Sequence, residues 1–187
     1  MKTLAFKSSG ELRDWLDANH DKSDGVWLRL FKKSSAKTAV TRTEALDQLL
    51  CYGWIDGQAR PHDEHSWLQK ITPRLAKSGW SRVNTGHVER LVKAGQMQPA
   101  GLKAVEGAKA DGRWHAAYDP PSKAAPPEDF LRALAECEKA KAFFETLNKA
   151  NVYAIVYRLQ TAKKPETREK RLKNILVMLD RGESFHP

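Results

Sequence analysis

The chain has 187 residues, of which 41% are hydrophobic and 29% are charged, and its formal net charge is +9. This length and balance are typical of a globular protein with one domain of ordinary size or two small ones. No stretch approaches the roughly 18 consecutive apolar residues of a membrane span, and the N-terminus lacks the apolar run of a secretory signal. We therefore expect no membrane insertion and a cytoplasmic location.

The net charge indicates the class of partner, and the two cysteines indicate the redox state of the thiols. A net charge of +9 favours anionic partners, such as nucleic acid, lipid head groups or phosphorylated metabolites, and disfavours cationic peptides. Cys51 and Cys137 lie in apolar helical patterns, and neither has a CxxC or Cys-His spacing around it. We expect both thiols to be reduced and structural.

The first part of the chain mixes helical and strand patterns. Capping-box spacings occur at Ser8 with Glu11 and at Thr41 with Glu44. Apolar periodicity then predicts helices over about 9–19, 42–51, 81–94 and 99–112. Short apolar runs predict strands over 26–31, 54–60 and 66–71, the last two joined by a turn at 61–64. These elements predict an α+β fold with a small antiparallel sheet packed with helices.

The second part of the chain is predicted to be helical throughout. Residues 115–127 contain four prolines, and this composition is typical of a semi-rigid linker. Beyond them, four apolar stripes at helical spacing predict a C-terminal helical bundle. The predicted organisation is therefore an α+β domain over 1–114, a Pro-rich linker over 115–127 and a helical domain over 128–187.

The stretch from Cys51 to Asn84 combines three of the six tryptophans with many ionisable groups. A helix that begins near Ser81 offers unpaired N–H groups and the positive end of a dipole, and arginine and hydroxyl side chains nearby would complete an anion pocket. The alternative is structural: a serine caps the helix and Arg74 pairs with Asp56. The predicted ligand-binding residues are Asp56, Arg74, Ser78, Trp80, Ser81 and Asn84.

Two further chemistries can be placed in the same stretch. Asp56, in the segment GWIDG, could serve as a general acid or base if apolar neighbours raise the pKa of its carboxyl group, or it could simply bond to backbone N–H groups. His62 to His65 offer two imidazoles and two carboxylates, but adjacent turn residues point in different directions. We expect a solvated turn there, no metal site and no cofactor.

The most basic run, Lys163 to Lys173, has six cations and two glutamates. Nucleic-acid binding is one interpretation. However, Glu166 with Lys170 and Glu169 with Lys173 have the spacing of helical ion pairs, and no aromatic residue lies between the cations. A solvated helix face is therefore the favoured interpretation. No GxSxG, P-loop or GxGxxG motif indicates an enzyme class.

Four segments in order carry a family resemblance: LCYGWIDG at 50–57, ITPRLAKSGWSRVN at 71–84, LVKAGQMQPAG at 91–101 and AKKPETREKRL at 162–172. Over nearly the whole chain, they resemble the bacterial YdeI/OmpD-associated, or bacteriocin-protection, family. One departure is Trp67, where that pattern has tyrosine. The resemblance implies an accessory role in tolerance of bacteriocins or antimicrobial peptides, and it names no reaction.

We therefore expect a non-catalytic stress or resistance protein that binds an anionic small molecule or partner. The first alternative is an enzyme that acts on an anionic substrate with Asp56 as acid or base and Arg74 as the orienting cation. The second is a nucleic-acid-binding protein that uses the basic C-terminal helix. The oligomeric state is left open.

Overall fold

The computed structural model describes residues 1–35 and 37–187. They divide into two units, each described here by itself. Residues 1–80 and 84–115 make up the first, called the N-terminal unit below. Residues 81–83 and 116–187 make up the second, called the C-terminal unit. The predicted domain boundaries at 114 and 128 stay a prediction.

A four-stranded sheet organises the N-terminal unit. Its strands are β1 (Thr3–Leu4), β2 (Val26–Phe31), β3 (Trp54–Asp63) and β4 (Ser66–Pro73). Their order is β1-β2-β4-β3; β1 is parallel to β2, and the other neighbours are antiparallel. The α+β class is confirmed. The sheet is mixed rather than antiparallel, because it includes β1, a strand too short to leave a periodic signal in the sequence.

The hairpin of β3 and β4 differs from the predicted one at Pro61. The predicted turn began there, but β3 continues to Asp63, and Pro61 pairs with Trp67 across the hairpin. A proline is tolerated because β3 lies at the edge of the sheet, where a missing N–H group need not interrupt a ladder. A register shift between Pro61 and Asp63 accompanies it.

Among the described residues before 115, four helices lie close to their predicted positions. They are α1 (Ser9–Asn19), α2 (Arg42–Cys51), α3 (Arg82–Lys93) and α4 (Pro99–Ala110). The predicted capping box of α2 is confirmed in both directions: Glu44 N donates to Thr41 Oγ1 at 3.3 Å, and Thr41 N donates to Glu44 Oε2 at 2.9 Å. At α1, Ser8 Oγ accepts from Glu11 N at 3.3 Å.

The core of the N-terminal unit lies between the helices and the sheet. Two of its tryptophans, Trp54 and Trp80, are buried, whereas Trp67 is half-buried. On α3, apolar periodicity predicts that Val88, Leu91 and Val92 face inward, and the first two are buried. Val92 is 48% exposed, because it lies at the solvent edge of the narrow apolar stripe that those two residues define.

The C-terminal unit contains the four predicted helices. They are α5 (Glu128–Ala135), α6 (Glu138–Glu145), α7 (Lys149–Gln160) and α8 (Pro165–Asp180). Their apolar stripes share one core, which consists of Phe130, Leu134, Ala140, Ile155, Leu159, Ile175 and Leu179. The arrangement of these helices as a bundle stays a prediction.

Candidate functional site

The N-terminal unit contains a cleft of about 580 Å³. Three chain segments line most of it: residues 52–54 at the start of β3, residues 73–76 at and after the end of β4, and one face of α4. His20, Asp21, Trp80, Asp111 and Arg113 complete the wall. We call this feature the N-terminal cleft. Its size is that of a small-molecule site.

Two glycines allow α4 to lie close to the end of α2. A Cβ atom on Gly101 would be 2.1 Å from the carbonyl oxygen of Cys51. Gly53, at φ +71°, would place a Cβ atom 2.9 Å from the carbonyl oxygen of Ala100. The backbone N–H of Gln98 also donates to Cys51 O at 3.1 Å. The segments GWIDG and QPAG therefore meet through backbone contact, and this contact positions α4 along the cleft.

Tyr52 is a polar but uncharged part of the wall. Its hydroxyl group donates to Asp17 Oδ1 at 2.5 Å. Burial, together with this hydrogen bond to a carboxylate, raises the pKa of Tyr52 to about 12. The phenol therefore stays protonated at neutral pH and supplies no negative charge to the cleft.

Arg74 is fixed at the wall by backbone and aromatic contacts. Its backbone N–H donates to Gly53 O at 2.9 Å, and Nη1 of its side chain donates to Gly79 O at 3.1 Å. Its Cζ lies 3.6 Å from the ring centroid of Trp80, the geometry of a cation–π contact. Among the described residues, the buried Nε1 of Trp80 has no hydrogen-bond partner. A rigid guanidinium group and a buried indole thus lie side by side.

Two more cations reach the N-terminal cleft from other elements. Lys103 extends from α4 and is exposed. Arg113 donates through Nε to Asp111 Oδ2 at 2.7 Å and through Nη1 to Ser78 O at 2.9 Å. With Arg74, three cations line the cleft, and the carboxylates of Asp21 and Asp111 oppose them. The described lining therefore carries a small excess of positive charge.

Only part of the predicted ligand set lies at this cleft. Arg74 and Trp80 line it, and Ser78 contributes its carbonyl oxygen to the support of Arg113. The hydroxyl group of Ser78 accepts from Leu75 N at 3.1 Å, so it closes a turn. Asn84 is half-buried in the first turn of α3. Ser81 belongs to the C-terminal unit, where it forms a bridge with Tyr118.

Asp56 is paired with a residue outside the predicted set. Its Oδ2 accepts from Arg42 Nη2 at 3.1 Å, and its side chain is 17% exposed. It is not among the described lining residues of the cleft. The sequence-based alternative, in which Arg74 pairs with Asp56, therefore names a different arginine from the one that the structure places beside this carboxylate.

The sequence interpretation missed Lys103 and Arg113. Ala100, Lys103 and Gly107 recur at helical spacing, so α4 carries a detectable face with small residues and one cation. That face could have indicated a helix lying close to another surface. Arg113 follows the helix in a turn, and no pattern in the sequence marks it.

The histidine and carboxylate run at the tip of the hairpin is organised by Asp63. Its Oδ1 accepts from Ser66 Oγ at 2.7 Å and from His65 N at 2.9 Å, and its Oδ2 lies 2.6 Å from Arg29 Nη2. The hydrogen bond from Ser66, with smaller effects from His65 and Arg29, lowers the pKa of Asp63 to about 2. No group of three or more metal-ligating side chains occurs among the described residues.

Three of the six cations in the basic run at the start of α8 form contacts within their own unit. Arg168 pairs with Asp129. Of the two ion pairs predicted from spacing, Glu169 with Lys173 forms at 2.7 Å, whereas Glu166 with Lys170 is not an ion pair among the described residues. Arg171 Nη1 donates to the carbonyl oxygen of Arg158 at 2.6 Å. The two ion pairs compensate the charges of Arg168 and Lys173, which a nucleic-acid surface would present to phosphates.

Two different families match two different parts of the chain. Residues 4–104 match a family described as a domain of unknown function, DUF8412. Residues 123–182 match the bacteriocin-protection, YdeI or OmpD-associated family. The predicted resemblance to that second family is confirmed, but only for the C-terminal part of the chain. No curated protein and no solved structure matches the chain. None of the described helices is both long enough and apolar enough to cross a bilayer.

Proposed function

The chain belongs to the DUF8412 family, and from that premise we propose that it is a non-catalytic accessory protein that binds a small anionic molecule in the N-terminal cleft. The match of residues 123–182 supports an accessory role of the bacteriocin-protection kind. The net charge of +9 disfavours direct capture of a cationic peptide. Binding of an anion is compatible with that charge.

One observation carries the proposal: cations from three separate parts of the N-terminal unit converge on one cleft. Arg74 follows β4, Lys103 lies on α4, and Arg113 follows that helix. Charge-assisted hydrogen bonds from such groups are stronger than neutral ones. Because Arg74 is stacked on Trp80 and bonded to a carbonyl oxygen, little further ordering is needed when an anion binds.

The rest of the wall indicates a ligand that has an apolar part as well as a charge. Tyr52, Trp54, Pro73 and Trp80 supply ring surface, and the phenol of Tyr52 is held by Asp17. Small-molecule sites typically combine such apolar walls with a few charged groups that orient the ligand. A carboxylate or phosphate attached to a ring is therefore the preferred ligand chemistry.

The test is a thermal-shift screen of phosphate and carboxylate compounds, followed by calorimetric titration of those that stabilise the full chain. A bound compound at about 100 times its Kd should stabilise the fold by about 2.7 kcal/mol. Lys103→Gln should weaken binding about tenfold, because it removes a charged hydrogen-bond donor from the cleft.

Lys77→Gln is the matched control, since Lys77 is an exposed lysine of the loop after β4 and is not among the described lining residues. It makes the same change in net charge and should leave the Kd unchanged. Equal weakening by both variants would indicate general electrostatic attraction and contradict a site at the cleft. A screen without any saturable anion would also contradict the proposal.

A further inference from the structure

The C-terminal unit contains a second concave site, unrelated to the N-terminal cleft. It is a cavity of about 520 Å³ lined by α7, α8 and the segment after α8. Ile175, Met178 and Phe185 form its apolar wall. Arg158 and Arg171 bring two guanidinium groups to the same space. We call this feature the C-terminal cavity.

Backbone carbonyl groups, rather than carboxylates, hold the two arginines. Arg158 Nη1 donates to Ala154 O at 3.1 Å. Arg171 Nη1 donates to Arg158 O at 2.6 Å and is 3.4 Å from Thr161 Oγ1. Among the described residues, no acidic side chain forms an ion pair with either arginine or lines the cavity. Neutral carbonyl groups fix the orientation of the guanidinium groups and leave both positive charges uncompensated.

The remaining donors of these arginines have no acceptor among the described residues. Each guanidinium group has five N–H donors, and all the hydrogen bonds formed by these two side chains use Nη1. Nε and Nη2 of both residues therefore remain for a ligand. A carboxylate can accept two parallel bonds from such a fork.

The apolar wall is held in place by a buried asparagine. Asn151 is 3% exposed, its Oδ1 accepts from His186 N at 2.9 Å, and its Nδ2 donates to His186 O at 3.1 Å. These two bonds fix the backbone next to Phe185, whose ring centroid lies 3.7 Å from Arg158 Cζ. One side of the cavity is therefore a positioned aromatic ring.

We propose that the C-terminal cavity binds a small amphiphilic carboxylate: one carboxylate group at Arg158 and Arg171, with an apolar chain along Ile175, Met178 and Phe185. The volume suits a small molecule, the two arginines favour an anion, and the wall favours an apolar body. Neither family description assigns this site.

Decanoate, used below its critical micelle concentration, is the probe, with decanol and decylamine as neutral and cationic analogues. Calorimetric titration of the full chain should show saturable binding of decanoate and at least about tenfold weaker binding of both analogues, because only the carboxylate combines a negative charge with two acceptor oxygens for the arginines. Methyl NMR should show shifts at Ile175 and Met178. Equal affinity for decanol, or shifts confined to the N-terminal unit, would overturn the proposal.

Arg158→Gln and Arg158→Lys should each raise the Kd of decanoate about tenfold, the first through loss of charge and the second through loss of the fork. Arg181→Gln, at an exposed arginine beyond the cavity lining, is the matched control and should not change the Kd. Lys103→Gln should also leave it unchanged, which separates this site from the N-terminal cleft. Unchanged affinity in both Arg158 variants would overturn the proposal; if they misfold, the methyl shifts of the unmodified chain decide.

Discussion

Gly101 shows how one small residue positions a whole helix. The backbone of α4 passes so close to Cys51 that a Cβ atom at position 101 would overlap the carbonyl oxygen, with a separation of 2.1 Å. Both contacting groups belong to the backbone, so no side chain can rotate away. The face of α4 that lines the N-terminal cleft therefore depends on the absence of a side chain at this position.

We predict that Gly101→Ala lowers the free energy of unfolding by about 3 kcal/mol, since inserting a methyl group into a packed contact typically costs about 1–3 kcal/mol and this overlap is with rigid backbone. Urea unfolding followed by circular dichroism would measure it.

Gly107→Ala, in the same helix, is the control, because a Cβ atom there meets no atom within 4 Å. It should stabilise the protein by up to about 1 kcal/mol through the better helix propensity of alanine. If Gly101→Ala were as stable as Gly107→Ala, the close packing of α4 against Cys51 would be contradicted.

At the scale of the element, the start of α2 is defined by its capping box. Thr41 and Glu44 satisfy each other's backbone N–H groups. The hydrogen bond from the Thr41 backbone, with a second from its side chain, lowers the pKa of Glu44. The helix then leads directly through Tyr52 and Gly53 into the cleft wall.

We predict that Thr41→Ala destabilises the protein by about 1 kcal/mol, the usual cost of losing an N-cap. Chemical denaturation would measure the change. Thr43→Ala, at an exposed position inside the same helix, removes the same atoms without removing a cap and should be neutral or slightly stabilising. Equal losses in the two variants would show that the cap has no special role.

The extent of the strands could be predicted only in part from local sequence preference. The short apolar run at 26–31 predicted a strand, and Val26, Leu28 and Leu30 are indeed buried. Proline at 61 predicted a turn, because local preference cannot show that β3 lies at an edge. Strand order is a tertiary property, and it decided how far the hairpin extends.

At the scale of the whole molecule, each unit contains one cysteine, and the two cysteines differ in burial. Cys51 is buried in the N-terminal unit, whereas Cys137 is half-buried in the C-terminal unit. Burial, with a smaller effect from Asp47, raises the pKa of Cys51 to about 11. The thiolate that reacts with alkylating agents is therefore scarce at Cys51 at neutral pH.

We predict that iodoacetamide modifies Cys137 before Cys51 under native conditions at pH 8, as peptide mass spectrometry would show. Cys51 should react only when its unit opens, and its labelling rate should rise with urea. Denatured protein is the control, since both thiols are then accessible and should react at similar rates. Faster native labelling of Cys51 would contradict its burial.

The sequence by itself determined the α+β class, the positions of most helices and the resemblance of the C-terminal part to the bacteriocin-protection family. The fold class and the helix positions depend on local information: apolar periodicity, as along Val88 and Leu91, and capping pairs such as Thr41 with Glu44. Such signals involve neighbours within one or two helical turns, so they are readable without knowledge of the fold.

Only the tertiary structure decided which charged groups meet. Asp56 lies beside Arg42 rather than Arg74, and Lys103 and Arg113 join Arg74 at the N-terminal cleft. The C-terminal cavity likewise brings Arg158 and Arg171 together from two helices. Residues far apart in the chain become neighbours through packing between elements. Patterns in a single sequence do not show which of these distant residues lie close together. The elements were therefore predictable, and the candidate sites were predictable only in part.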